Sequence, residues 1–74
     1  MIDGEKQKIL KKFGKRLNNV RESRGMSLRE LAAASGLEHA QIARIENGEK
    51  NPTLYTVIRL AEALDIFPGE LFTS

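Results

Sequence analysis

The 74-residue chain contains no cysteine and no tryptophan, a single histidine and two prolines. Without cysteine there are no disulfides and no thiolate metal ligands, which fits a reducing compartment. His39, standing alone, excludes a histidine-cluster metal site. Aromatic rings are scarce as well: Phe13, Tyr55, Phe67 and Phe72 are the full set. That is a poor stacking platform for single-stranded nucleic acid. No apolar run approaches the ~20 residues of a membrane span, and no signal-peptide core is present. Ser23, Ser27, Ser35 and Ser74 have no evident base partner, and there is no Gly-rich phosphate loop, so nucleophilic or nucleotide chemistry is not expected. The absences describe a cytoplasmic protein that is not an enzyme, with no cofactor, no metal and no membrane association.

What is present is charge, unevenly placed. Residues 1–29 carry nine Lys/Arg against three Asp/Glu, and residues 30–74 carry three against seven, so +6 and −4 make up the net +2. A basic N-terminal third suits an anionic partner such as nucleic acid, although helical lysines also serve simply as a solvated surface. Charge alone does not separate these readings. The length allows one domain, which buries only about 60% of its unfolded surface and therefore has a thin core.

Met1 to Glu5 has no anchor and is expected to fray, with Asp3 able to cap a helix. From Glu5 to Arg24 the apolar residues Ile9, Leu10, Phe13, Leu17 and Val20 fall at helical spacing among Lys6, Lys8, Lys11, Lys12, Lys15 and Arg16. Gly14 marks either a close packing contact or the start of the helix, which would leave residues 1–12 as a basic extension ahead of a domain over 13–74. Gly25 supplies a stop. Ser27 with Glu30 forms a capping-box pair opening a helix over Leu28–Ala34, and Ser35-Gly36-Leu37 makes a sharp turn. A second short helix runs from His39 to Asn47. In it Ile42 and Ile45, with Leu37 ahead, face one way, while His39, Ala40, Ala43 and Arg44 face the other. After the polar turn Glu49-Lys50-Asn51-Pro52, Thr53 caps a helix with Leu54, Val57, Ala61 and Leu64 as its buried stripe and Ile58 and Leu60 beside it. Pro68 opens a short fifth helix over Gly69–Phe72.

Two helices joined by a short Gly-containing turn form the helix-turn-helix pattern, but a plain αα-hairpin has the same spacing. The residues are more specific. LREL-A-x-x-SGL, the I-x-x-IENG run at Ile42–Gly48 and NPT-L-x-x-V-x-x-L-A-x-AL after it resemble the phage-repressor or Cro-type helix-turn-helix family of Xre-like regulators, from about Phe13 to Phe72. The resemblance implies an all-α, compact five-helix lambda-repressor-like DNA-binding domain with the helix-turn-helix at helices 2 and 3. It implies His39, Ala40 and Arg44 as base readers, and it pairs Arg21 with Glu46 in a structural salt bridge between helices 1 and 3. Independently, a carboxylate near the C-terminal end of a helix wants a cation, and arginine offers it a fork. Gln41 adds an amide suited to adenine, and Arg44 a fork suited to guanine. Ser27, Arg29, Lys50, Asn51 and Thr53 are candidate phosphate contacts. Two positions depart from the family pattern: Leu28 stands where relatives often place Gln, and Phe67 where they place a small polar cap.

The partner implied is double-stranded DNA, bound by a homodimer through a palindromic operator whose half-sites lie about one helical turn apart. Phe67, Leu71 and Phe72 are the expected dimer contacts. No small-molecule ligand is expected, because no second domain is present to sense one. The alternative is a protein-interaction module of the same fold, such as an antitoxin or anti-repressor component, binding through the acidic C-terminal half.

Overall fold

The computed structural model describes residues 2–73, and side chains from residue 4 onward. Met1, Ser74 and the side chain of Asp3 lie outside the described residues, and with them the expectation that Asp3 caps a helix. The order is α1 (Ile2–Ser23), α2 (Leu28–Ser35), α3 (His39–Glu46), α4 (Leu54–Leu64) and a 3-10 helix (Pro68–Phe72). Among the described residues there are thus four α-helices and a 3-10 turn rather than five helices. At the start of the last segment Phe67 brings no capping side chain. Glu70 compensates in part, its Oε2 accepting from the Phe67 amide at 3.1 Å.

The helices end where local chemistry ends them. Ser27 Oγ accepts from the Glu30 amide at 3.0 Å and Glu30 Oε1 accepts from the Ser27 amide at 2.7 Å, so both arms of the capping box are made. Gly36 stops α2 in the left-handed conformation, φ 75°, where most residues are strained. Thr53 Oγ1 caps α4 by accepting from the Thr56 amide at 3.1 Å.

α1 lies across α3 and the 3-10 helix, while α2 packs on both α3 and α4. Leu17, Leu31, Ile42, Ile45, Leu60, Leu64 and Leu71 fill the space between them and are nearly inaccessible. Gly14 sits inside α1 rather than at its start: a Cβ there would lie 2.8 Å from the Glu46 carbonyl carbon and press on the Ile45 carbonyl oxygen as well. The helix also includes residues 2–5, which were expected to fray.

Two apolar expectations fail. Ile9 is 65% and Leu54 is 77% exposed. Ile9 lies at the rim of grooves shared with Phe13, Leu71 and Asn51 rather than in the core, and Leu54 is the first residue of α4, one turn short of Val57. Leu60, expected beside that stripe, is central to the core. No helix among the described residues is long and apolar enough to cross a membrane.

Candidate nucleic-acid interface

α3 is held from beneath and free above. Ile42 and Ile45 are buried on a helix that packs against α1 and α2. The opposite face presents His39, Ala40 and Arg44 to solvent, with Gln41 half-buried at its edge. Among the described residues there are two ion pairs, Arg21–Glu46 and Arg59–Glu62, and neither uses Arg44. Its guanidinium stands with no carboxylate to neutralise it.

The lower end of α3 is fastened by a polar cluster. Arg21 Nε donates to Glu46 Oε2 at 2.7 Å and Nη2 to Oε1 at 3.2 Å, a forked contact between side chains only 10% and 7% exposed. Arg21 Nη1 also donates to the Met26 carbonyl at 2.8 Å, which ties in the turn before α2. Asn18 Nδ2 completes the carboxylate's shell, donating to Oε1 at 2.9 Å. The hydrogen bond to Glu46 holds the guanidinium above the ordinary arginine range against the opposing effect of burial, with Coulomb attraction from Glu46 and Glu22 adding to it. A doubly bonded carboxylate with no unpaired oxygen is a positioning device rather than an acid or base. Asn18 and the Met26 carbonyl were not anticipated from sequence. Asn18 lies three residues before Arg21, on the same face of α1, and that spacing is the available signal.

The phosphate candidates surround this helix. Ser27, Arg29, Lys50, Asn51 and Thr53 are all exposed. Ser27 and Thr53 have accepting lone pairs engaged in their caps. The Thr53 hydroxyl also shares a hydrogen bond with Thr56 Oγ1 at 3.0 Å. Leu28 is half-buried against the core, consistent with its replacing a polar residue at this position.

Around the 3-10 helix the three expected dimer residues separate. Leu71 is 1% exposed and belongs to the chain's own core, so it is not free to meet a partner. The 3-10 helix packs on both α1 and α4, and Leu71 is the residue it buries there. Phe67 and Phe72 point outward, 81% and 66% exposed, and one edge of Phe72 rests on Phe13 with ring centres 5.3 Å apart.

Comparison with known proteins agrees with this arrangement. The helix-turn-helix family pattern matches residues 17–71. Over 58 residues the chain is 43% identical to the HTH-type transcriptional repressor RghR of Bacillus subtilis, covering 77% of this chain and 43% of that protein. Over 60 residues it is 35% identical to the HTH-type transcriptional regulator PuuR of Escherichia coli, covering 81% of this chain and 32% of that one. The chain therefore spans less than half the length of these curated relatives. Among solved structures, the restriction-modification controller protein C.AhdI from Aeromonas hydrophila is similar with a TM-score of 0.84 and 44% identity, over 85% of this chain and 96% of the other.

Proposed function

Because this chain belongs to the helix-turn-helix family, we propose that it binds a specific sequence of double-stranded DNA through α3 and regulates transcription there, as a homodimer on a palindromic operator. The observation that carries this reading is the outward face of α3: an unpaired, exposed Arg44 beside Ala40 and His39, on a helix locked to the domain by Glu46. In the major groove, the Arg44 fork matches O6 and N7 of one guanine, the Ala40 methyl packs on a thymine methyl, and the Gln41 amide suits adenine. His39 begins α3 and reads least. Ser27, Arg29, Lys50, Asn51 and Thr53 grip phosphates on either side and set the register. With one strong donor group per half-site, recognition leans on DNA shape for the remainder.

Repression is the favoured sense, supported by the kinship with RghR. The test is selection of bound sequences from a random duplex pool, followed by Arg44→Ala on the selected site. The substitution should cost ~1–3 kcal/mol per half-site and relax preference at one base pair. A pool that returns no palindrome, or an Arg44→Ala chain that binds the selected site unchanged, would sink the proposal.

The exposure of Phe67 and Phe72 favours one second reading, a protein-interaction module docking through that surface. The same variant separates the two, because a pure adaptor is indifferent to Arg44.

A further inference from the structure

The helix-turn-helix pattern begins at residue 17, yet α1 is one unbroken helix from Ile2 to Ser23. Its N-terminal half lies ahead of the matched region, and it packs on defined residues of the bundle. A Cβ on Gly48 would lie 3.0 Å from Lys11 Cα and 2.6 Å from Lys11 Cγ, so α1 rests on the residue that closes the reading helix. Further towards its N-terminus, Lys6 and Leu10 line a groove together with Asn51 of the α3–α4 loop. The first half of α1 therefore continues past the C-terminal end of α3 and over the loop that carries Lys50 and Asn51. Gly14, pressed on the carbonyls of α3, fixes that crossing.

The side chains along this course are cationic and unspent. Lys6, Lys8, Lys11, Lys12 and Lys15 are exposed, and neither ion pair among the described residues involves them. Glu5 lines the groove with Lys6 and Asn51, and Glu49 is exposed in the loop between α3 and α4. Lys6 and Lys11 are separated by about 7.5 Å along the helix axis and by about 140° around it, so they flank the loop on its two sides. They stand on the loop side of α1. Lys12 stands on the other side, where it lines a groove with Phe72 and Thr73.

We propose that the N-terminal half of α1 is a second, sequence-blind DNA-backbone surface, in which Lys6 and Lys11 extend the phosphate grip of Lys50 and Asn51 beyond the operator half-site. The proposal rests on the DNA-binding reading above. A single point charge on a flexible stem suits this task, since it needs proximity to a phosphate and no fixed geometry.

The experiment is fluorescence-anisotropy titration of the selected operator and of a random duplex, at a series of salt concentrations, with the full chain. Three variants are compared with it: Lys6→Gln/Lys11→Gln, Lys12→Gln and Glu5→Gln. The double variant should weaken binding to both duplexes by the same factor. It should also flatten the plot of log K against log salt by about 0.9 for each lysine lost from the complex. Lys12→Gln, with the same unit of charge removed per site, should move the slope little, and Glu5→Gln should tighten binding to both duplexes. Slopes for the double variant no flatter than two Lys12→Gln changes would produce would overturn the proposal while leaving the operator reading intact. A wild-type chain that bound no duplex at any salt would overturn the operator reading itself, and this surface with it.

Discussion

The guanidinium of Arg21 donates to Glu46 through Nε and Nη2 and to the Met26 carbonyl through Nη1, so one side chain ties α1 to α3 and to the turn that starts α2. Both partners are nearly dry, and removing one leaves the other charged and unpaired, at about 3–5 kcal/mol. A chain of this size has a total stability of only roughly 4–11 kcal/mol. Glu46→Ala is therefore expected to lower the urea midpoint sharply, followed by circular dichroism. Glu46→Gln, which keeps one acceptor oxygen, should lose distinctly less. Equal midpoints for Glu46→Ala and the parent chain would show that the pair does not hold α3. Because the folded arginine is raised above its unfolded value, its stabilisation is complete at neutral pH and is lost only as pH rises through that strongly alkaline range. The pair was legible in sequence through the resemblance and through the need of a carboxylate at a helix C-terminus for a cation. The close approach at Gly14 was legible only as one of two alternatives, because a glycine in a helix does not say which backbone it meets.

At the scale of the element, α2 and α3 have eight residues each, below the length at which an isolated helix is stable in water. Their ends were readable because caps are local: Ser27 with Glu30, Gly36 and Thr53 act within a few residues of themselves. The positions of Ile9 and Leu54 were not readable, since an apolar residue at helical spacing is buried only if another element covers that turn. Neither Ile9 on the second turn of α1 nor Leu54 at the start of α4 is covered. Ser27 also separates two roles that coincide in one hydroxyl. Aspartate caps a helix about as well as serine, and its charge is favourable at a helix N-terminus. Ser27→Asp should thus leave the unfolding free energy from urea titration within about 0.5 kcal/mol of the parent, while weakening binding to every duplex if Ser27 lies against a phosphate. Unchanged DNA affinity in a normally stable Ser27→Asp chain would remove Ser27 from the phosphate contacts and leave it a cap alone.

At the scale of the molecule, two exposed surfaces face different tasks. α3 presents the Arg44 face, whereas Phe67 and Phe72, at the 3-10 helix that packs on α1 and α4, leave two large rings in water. Burying such rings against a copy of themselves stabilises an assembly by ~1.5–3 kcal/mol per ring before the cost of association. Leu71, once removed from the candidates by its burial, leaves these two as the contacts a second copy would meet. Phe67 is the cleaner probe, because Phe72 also packs on Phe13 within its own chain. Phe67→Ser is therefore expected to keep the monomer's stability and to raise the dimer dissociation constant, measured by sedimentation equilibrium. The consequence for DNA follows from counterion release. If each protomer neutralises about four phosphates, log K for the dimer should fall with log salt at a slope of about −7, and a monomeric variant should show about half of that. It should also bind a half-site as well as it binds the full palindrome. A Phe67→Ser chain that remains dimeric and keeps the full slope would place the interface elsewhere, and would leave the exposed ring free for the protein partner of the second reading.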